Sequence, residues 1–175
     1  MLRKVISIML IIISIIILFY DKKEISDNNQ KISDIISDKR LNSIYDGYIY
    51  IPRLNYKNII SKGDEKEVLD KNIVLMISNK EVINKEYGNI ILAGHNNKYV
   101  FNILYDISIN DEIIISDFKN TYSFTVYKID YVNIKNKSVL DNVYDKKILT
   151  LITCTNDNQI RYFVQSKLNH IISHN

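Results

Sequence analysis

Hydrophobic and polar positions divide the chain into three stretches. The first runs from Val5 to Tyr20 and is broken only by Ser7 and Ser14, with Arg3-Lys4 before it and Asp21-Lys22-Lys23 after it. As a helix it spans about 24 Å, a little short of a ~30 Å hydrocarbon core. It is apolar almost all round and sits at the terminus, which predicts a membrane segment rather than a buried core helix. No small-x-small cleavage pattern follows, so the pattern favours an uncleaved signal anchor over a cleaved signal. Lysines and arginine balance across the span. The very short leading tail fits residues 1–4 in the cytoplasm, an anchor over 5–20 and a folded domain outside the cell.

The second stretch, 21–43, is polar, with Ile25, Ile32, Ile35, Ile36 and Leu41 at roughly helical spacing. It reads as a tether or a short amphipathic helix that lifts the domain from the membrane. In the third stretch, 44–175, the pattern turns to β. Strands are predicted over 48–51, ending at Pro52, and over 58–60, 73–77, 89–92, 112–115, 122–134, 149–154 and 160–168. Residues 64–71 predict a helix capped by Asp64, and 98–105 one or two helical turns. Eight short strands with brief helices predict an all-β fold, a closed or nearly closed barrel rather than an α/β sheet.

Composition changes this picture little. With 46% apolar and 25% charged residues the chain is globular, and beyond the anchor it is long enough for one domain with its own core. A net charge of +3, with both signs interspersed and no basic stripe carrying aromatics, argues against nucleic acid as a partner. The cysteine count matters more. Cys154 is alone, so no intramolecular disulfide is available, and the thiol is either buried and inert or exposed and reactive.

Three segments carry candidate chemistry: Leu92-Ala93-Gly94-His95-Asn96, where a strand runs into a turn; Thr150-Leu151-Ile152-Thr153-Cys154-Thr155, an apolar strand ending at the cysteine; and Arg161-Tyr162-Phe163-Val164. The last two are separated only by the polar stretch 155–159. If they form a hairpin, Cys154 and Arg161 face each other about 5 Å apart. A guanidinium there favours thiolate and offers donors to a developing oxyanion. With His95, brought in only by the fold, the set suits acyl transfer: Cys attacks a carbonyl, His protonates the leaving amine, Arg stabilises the tetrahedral oxyanion. Taken singly, each has a plainer reading: a core cysteine, a turn histidine, a solvated arginine.

At these residues the chain resembles the sortase family. Thr150 to Cys154 matches the family's nucleophile strand, Leu92-Ala93-Gly94-His95 its histidine segment, and Arg161 the arginine that opens its last strand. Tyr50-Ile51-Pro52-Arg53-Leu54 is similar to the opening strand of many members. The resemblance covers the chain from about residue 45. It implies an eight-stranded sortase-type β-barrel and a cysteine transpeptidase that needs no metal or cofactor. Its partners are secreted surface proteins bearing a C-terminal sorting signal, often Leu-Pro-x-Thr-Gly, and an amine acceptor in peptidoglycan precursor or a pilin lysine. Carried over, Cys154 is the nucleophile, His95 the general acid/base and Arg161 the oxyanion group, while Thr153 flanks the nucleophile and contacts substrate. The chain departs from the pattern at Asn96 and Asn156, where Arg or Asp and Pro are frequent. The short stretch 135–147 leaves no room for the helical insertion of class B, and there is no C-terminal transmembrane helix as in class C. A class D-like or class A-like enzyme remains.

Other tempting residues have simpler readings. His170 and His174 fit a frayed tail better than a metal site, Asp64, Glu65 and Glu67 a helix start better than a calcium site, and the tyrosines simply favour strands. Two rival functions stand beside the first: a cysteine peptidase that resolves the thioester with water, and a membrane-tethered barrel that binds a wall ligand without chemistry.

Overall fold

The computed structural model describes residues 2–38, 44–61, 63, 68, 73–78 and 81–173. Except for Val68, the predicted helix at 64–71 lies outside these residues, as does the tail residue His174.

Helix α1 (Leu2–Ser37) joins the first two stretches of the sequence without a break. From Ile6 to Tyr20 every side chain is exposed. Among the described residues no helix is long and apolar enough to cross a membrane. Past Lys22 the helix changes character. Ile32 is buried, and Ile35 and Ile36 pack beside it on an outer-face cluster of Ile59, Val68, Ile73 and Leu75. Ile32, Ile35 and Ile36 of the 21–43 stretch therefore clasp the domain rather than hold it away, because their stripe meets an apolar patch on the barrel wall. Asn29 Nδ2 donates to Asn55 O (2.9 Å), and Lys57 Nζ to Ser33 Oγ (3.4 Å), along the same seam.

Eight strands follow: β1 (Gly47–Ile51), β2 (Tyr56–Ser61), β3 (Val74–Met76), β4 (Gly88–Gly94), β5 (Glu112–Ser116), β6 (Asn120–Asn133), β7 (Lys147–Cys154) and β8 (Ile160–Ser173). They close into a barrel in the order β1-β2-β3-β4-β7-β8-β6-β5. β2–β3 and β4–β7 are parallel pairs, and the others are antiparallel. A four-residue helix, α2 (Glu81–Asn84), and 3-10 turns at Pro52–Leu54, Phe101–Asp106 and Ser138–Leu140 complete the described elements. The all-β barrel expected from the strand pattern is present.

Period-2 alternation builds the interior: Ile49 and Ile51, Ile90 and Leu92, Ile113 and Ile115, Phe124 and Val126, Leu149 and Leu151 point inward, and Phe101 and Leu104 plug one end. β8 runs five residues beyond the predicted end because β6 pairs with it all the way, down to Asn120 opposite Ser173. His170 is thus a strand residue opposite Ser123 and not part of a frayed tail. β4 lengthens likewise to Gly94, held by parallel pairing with Thr153.

Candidate active site

Three neighbouring strands, β4, β7 and β8, end or begin at the same level of the barrel. β7 and β8 form the hairpin expected from the short stretch 155–159, and Cys154 is the direct partner of Arg161. On the other side of β7, the parallel ladder with β4 ends at the pair Gly94–Thr153. The next residue on each strand is His95 and Cys154. His95, Cys154 and Arg161 therefore stand in a row across three strands, each strand about 4.8 Å from the next.

The Cys154 thiol is exposed, as is His95. Both line a cavity of about 320 Å³ together with Arg161, and most of its remaining wall is apolar: Ile77, Ala93, Val132, Ile134, Leu140 and Ile152. The sequence left two fates open for the single thiol, and this placement selects the exposed one. Arg161 is partly buried, and its Nη1 donates to Asn158 O (3.0 Å) and Ile160 O (3.1 Å), which pins the guanidinium to the hairpin loop.

His95 is fixed through its backbone. Its carbonyl accepts from Asn97 N and from Phe101 N (2.9 Å each), and Asn97 Oδ1 in turn accepts from Tyr99 N and Val100 N (3.0 Å each). Gly94 permits this tight return. A Cβ at that position would lie 2.5 Å from Val100 Cγ1 and 2.9 Å from the Phe101 ring, closer than real Cβ contacts allow.

Thr153, expected to contact substrate, lines the cavity but is only 2% exposed, and its hydroxyl donates to Gly94 O (2.8 Å). It ties the cysteine strand to the histidine strand. Asn89 was read only as strand sequence, yet it organises the cavity's outer wall. Its Nδ2 donates to Val139 O (3.0 Å) and Asp141 O (3.2 Å), and its Oδ1 accepts from Thr150 Oγ1 (2.7 Å). A polar residue heading the apolar run Asn89-Ile90-Ile91-Leu92 was the available signal, since a buried amide needs partners.

One residue beyond His95 and Cys154, a second and more polar groove opens. It holds about 410 Å³ and is lined by Asn96, Asn102, Tyr105, Tyr131, Thr155, Asn156 and Asp157. Tyr105 stacks on Tyr162 with ring centroids 4.5 Å apart, and Tyr131 meets the same ring edge-on at 5.1 Å. Burial pushes the Tyr105 phenol up from its ordinary value, and negative charge on Tyr131 or Cys154 adds to the rise, against the hydrogen bond from Asn96. Tyr105 is therefore held as a neutral phenol in the groove beside Asn96. Among the described residues no group of His, Cys, Asp and Glu is arranged to hold a metal ion.

Comparison with known proteins bears on the fold and the family. Sortase A of Listeria monocytogenes is 32% identical over 111 residues, which is 62% of this chain but only 48% of that protein, so the chain matches about half of its relative's length. The solved structure of that sortase A superimposes with a TM-score of 0.65 at 23% identity, covering 75% of this chain and 91% of that one. A Clostridium perfringens sortase D5 transpeptidase gives 0.64 at 22% identity, covering 83% and 98%. These structural likenesses speak for the fold. The Sortase domain model matches residues 49–169, more than half of the sequence, and the chain therefore belongs to the sortase family.

Proposed function

We propose that this chain is a membrane-anchored cysteine transpeptidase. It cleaves a C-terminal sorting signal of the Leu-Pro-x-Thr-Gly type on secreted proteins and joins the new carboxyl end to an amine of the cell wall. That amine belongs to peptidoglycan precursor or a pilin lysine. The observation that carries the reading is the row of His95, Cys154 and Arg161 at the rim of one apolar cavity.

In this reading the Cys154 thiolate attacks the scissile carbonyl and Arg161 donates to the oxyanion. His95 gives its proton to the leaving amine, and a thioester remains on Cys154. The acceptor amine then attacks the thioester carbonyl, the C–S bond breaks, and His95 takes the amine's proton. Thr153 works through its hydroxyl on Gly94 O, keeping the histidine strand in register with the cysteine strand rather than touching substrate. The cavity's apolar wall suits the aliphatic part of a sorting signal, and the short connection 134–146 between β6 and β7 leaves no room for a class B insertion, so the enzyme is class D-like or class A-like.

The exposed, mostly apolar side chains from Ile6 to Tyr20 support contact of this segment of α1 with a membrane. Fifteen exposed, mostly apolar positions form a surface that soluble monomers avoid. Fractionation of tagged cells tests the anchor: recovery of the chain in the soluble fraction overturns it.

The enzyme reading is tested with purified protein, a fluorogenic Leu-Pro-x-Thr-Gly peptide and hydroxylamine. Expected is a hydroxamate product that depends on Cys154. Free acid alone assigns the chain to the peptidase class, and an unreactive thiol with no cleavage leaves only a binding role.

A further inference from the structure

The acyl donor has the apolar cavity, and the geometry points to the polar groove beyond His95 and Cys154 as the binding site for the amine acceptor, with Asp157 recognising its positive charge. This inference rests on the transpeptidase reading above. An acyl-transfer enzyme with two substrates must bring the second one to a thioester already occupied on one side. The cavity lies along β4 and β7 up to His95 and Cys154, and the groove starts at the residue after each, Asn96 and Thr155. The two volumes share no lining residue, and the candidate nucleophile and acid/base stand at the boundary.

The groove's chemistry fits a primary ammonium group. Asp157 is its only charged lining residue, and three asparagines, two phenols and Thr155 supply the remaining polar side chains. Asp157 sits in a braced turn: its backbone N–H donates to Thr155 Oγ1 (3.2 Å), its carbonyl accepts from Thr155 Oγ1 (2.9 Å) and Ile160 N (3.0 Å), and its Oδ1 accepts from Gln159 N (2.8 Å). No described residue donates to Oδ2, which is left for a ligand. Tyr105 and Tyr131, held against Tyr162, offer ring faces on which a cation is also stabilised.

The step balances. The acceptor is held as R–NH3+ and loses one proton to solvent. The free amine's lone pair forms the C–N bond, the thioester C–S bond breaks, Cys154 leaves as thiolate, and the second proton passes to His95.

The test uses the full-length protein, a sorting-signal peptide and two acceptors: butylamine, a cation at neutral pH, and hydroxylamine, which is mostly uncharged there. Asp157→Asn retains the acceptor for Gln159 N and removes only the charge. The expected result is a rise of about fivefold in the apparent KM for butylamine, the scale of one partly exposed charge contact. The hydroxylamine KM shifts far less, and products with butylamine move from amide toward free acid. Asp157→Glu recovers part of the loss, and Tyr131→Leu, at an exposed position, shifts butylamine in the same direction. An unchanged butylamine KM, or equal shifts for both amines, overturns the inference while the transpeptidase reading stands. Wild-type protein that makes only free acid overturns both, and cysteine peptidase activity then remains.

Discussion

Cys154 and Arg161 are direct partners across the β7–β8 hairpin, so the thiol and the guanidinium share one face of the sheet with no intervening residue. Substituting either should therefore act on chemistry before it acts on folding. Cys154→Ala is expected to abolish peptide cleavage with an unchanged circular dichroism spectrum. Arg161→Ala should lower kcat by about 10²–10³-fold if the arginine is the oxyanion donor. Undiminished cleavage by Arg161→Ala, measured with the fluorogenic peptide, removes that role.

Thr153→Val keeps the shape of the side chain and deletes the hydroxyl bound to Gly94 O. A buried carbonyl left short of a donor costs about 1–3 kcal/mol. Urea unfolding should register that loss, and kcat should fall more than KM rises, because the strand that presents His95 loosens while the cavity keeps its lining.

At Gly94 even one methyl is too many. Gly94→Ala drives a Cβ against Val100 and Phe101, which hold the turn after His95. Overpacking of this kind typically costs about 1–3 kcal/mol. A lower melting temperature and cleavage reduced beyond that of Thr153→Val are expected. A variant as active as wild type means the turn yields without moving His95.

Away from the site, Arg53 Nε donates to Asp111 Oδ1 and Nη2 to Oδ2, both at 2.7 Å. The Arg53 guanidinium holds the Asp111 carboxyl below its ordinary value of 3.8, against the opposing effect of burial. A carboxyl depressed in the folded state contributes stability that is present above its unfolded value and is lost as pH falls through the folded one. Wild type should therefore lose stability on acidification below about pH 4. Asp111→Asn should show less of that loss, and parallel melting-temperature curves for the two proteins contradict the assignment.

Much of the barrel was legible in the sequence because its strands alternate with period 2 or run as short apolar stretches, and periodicity survives without knowledge of partners. Strand ends were not. β8 continues through Ser173 and β4 through Gly94 because a neighbour continues beside them, and a neighbour's length is not written in the strand itself. The isoleucines at 32, 35 and 36 announced a helix stripe, but what that stripe covers depends on an apolar patch built from β2, β3 and the chain around them.

The candidate site divides along the same line. Cys154 opposite Arg161 follows from sequence alone, because a five-residue connection between two strands leaves a hairpin as the short way to satisfy their backbones. His95 beside Cys154 does not follow. It depends on β4 and β7 pairing in parallel, with Gly94 opposite Thr153, 59 positions away along the chain. A parallel neighbour is chosen by closure of the whole barrel rather than by local chain geometry. The same closure left Cys154 exposed between an apolar cavity and a polar groove, whose linings gather residues from 93–105, 131–140 and 152–161.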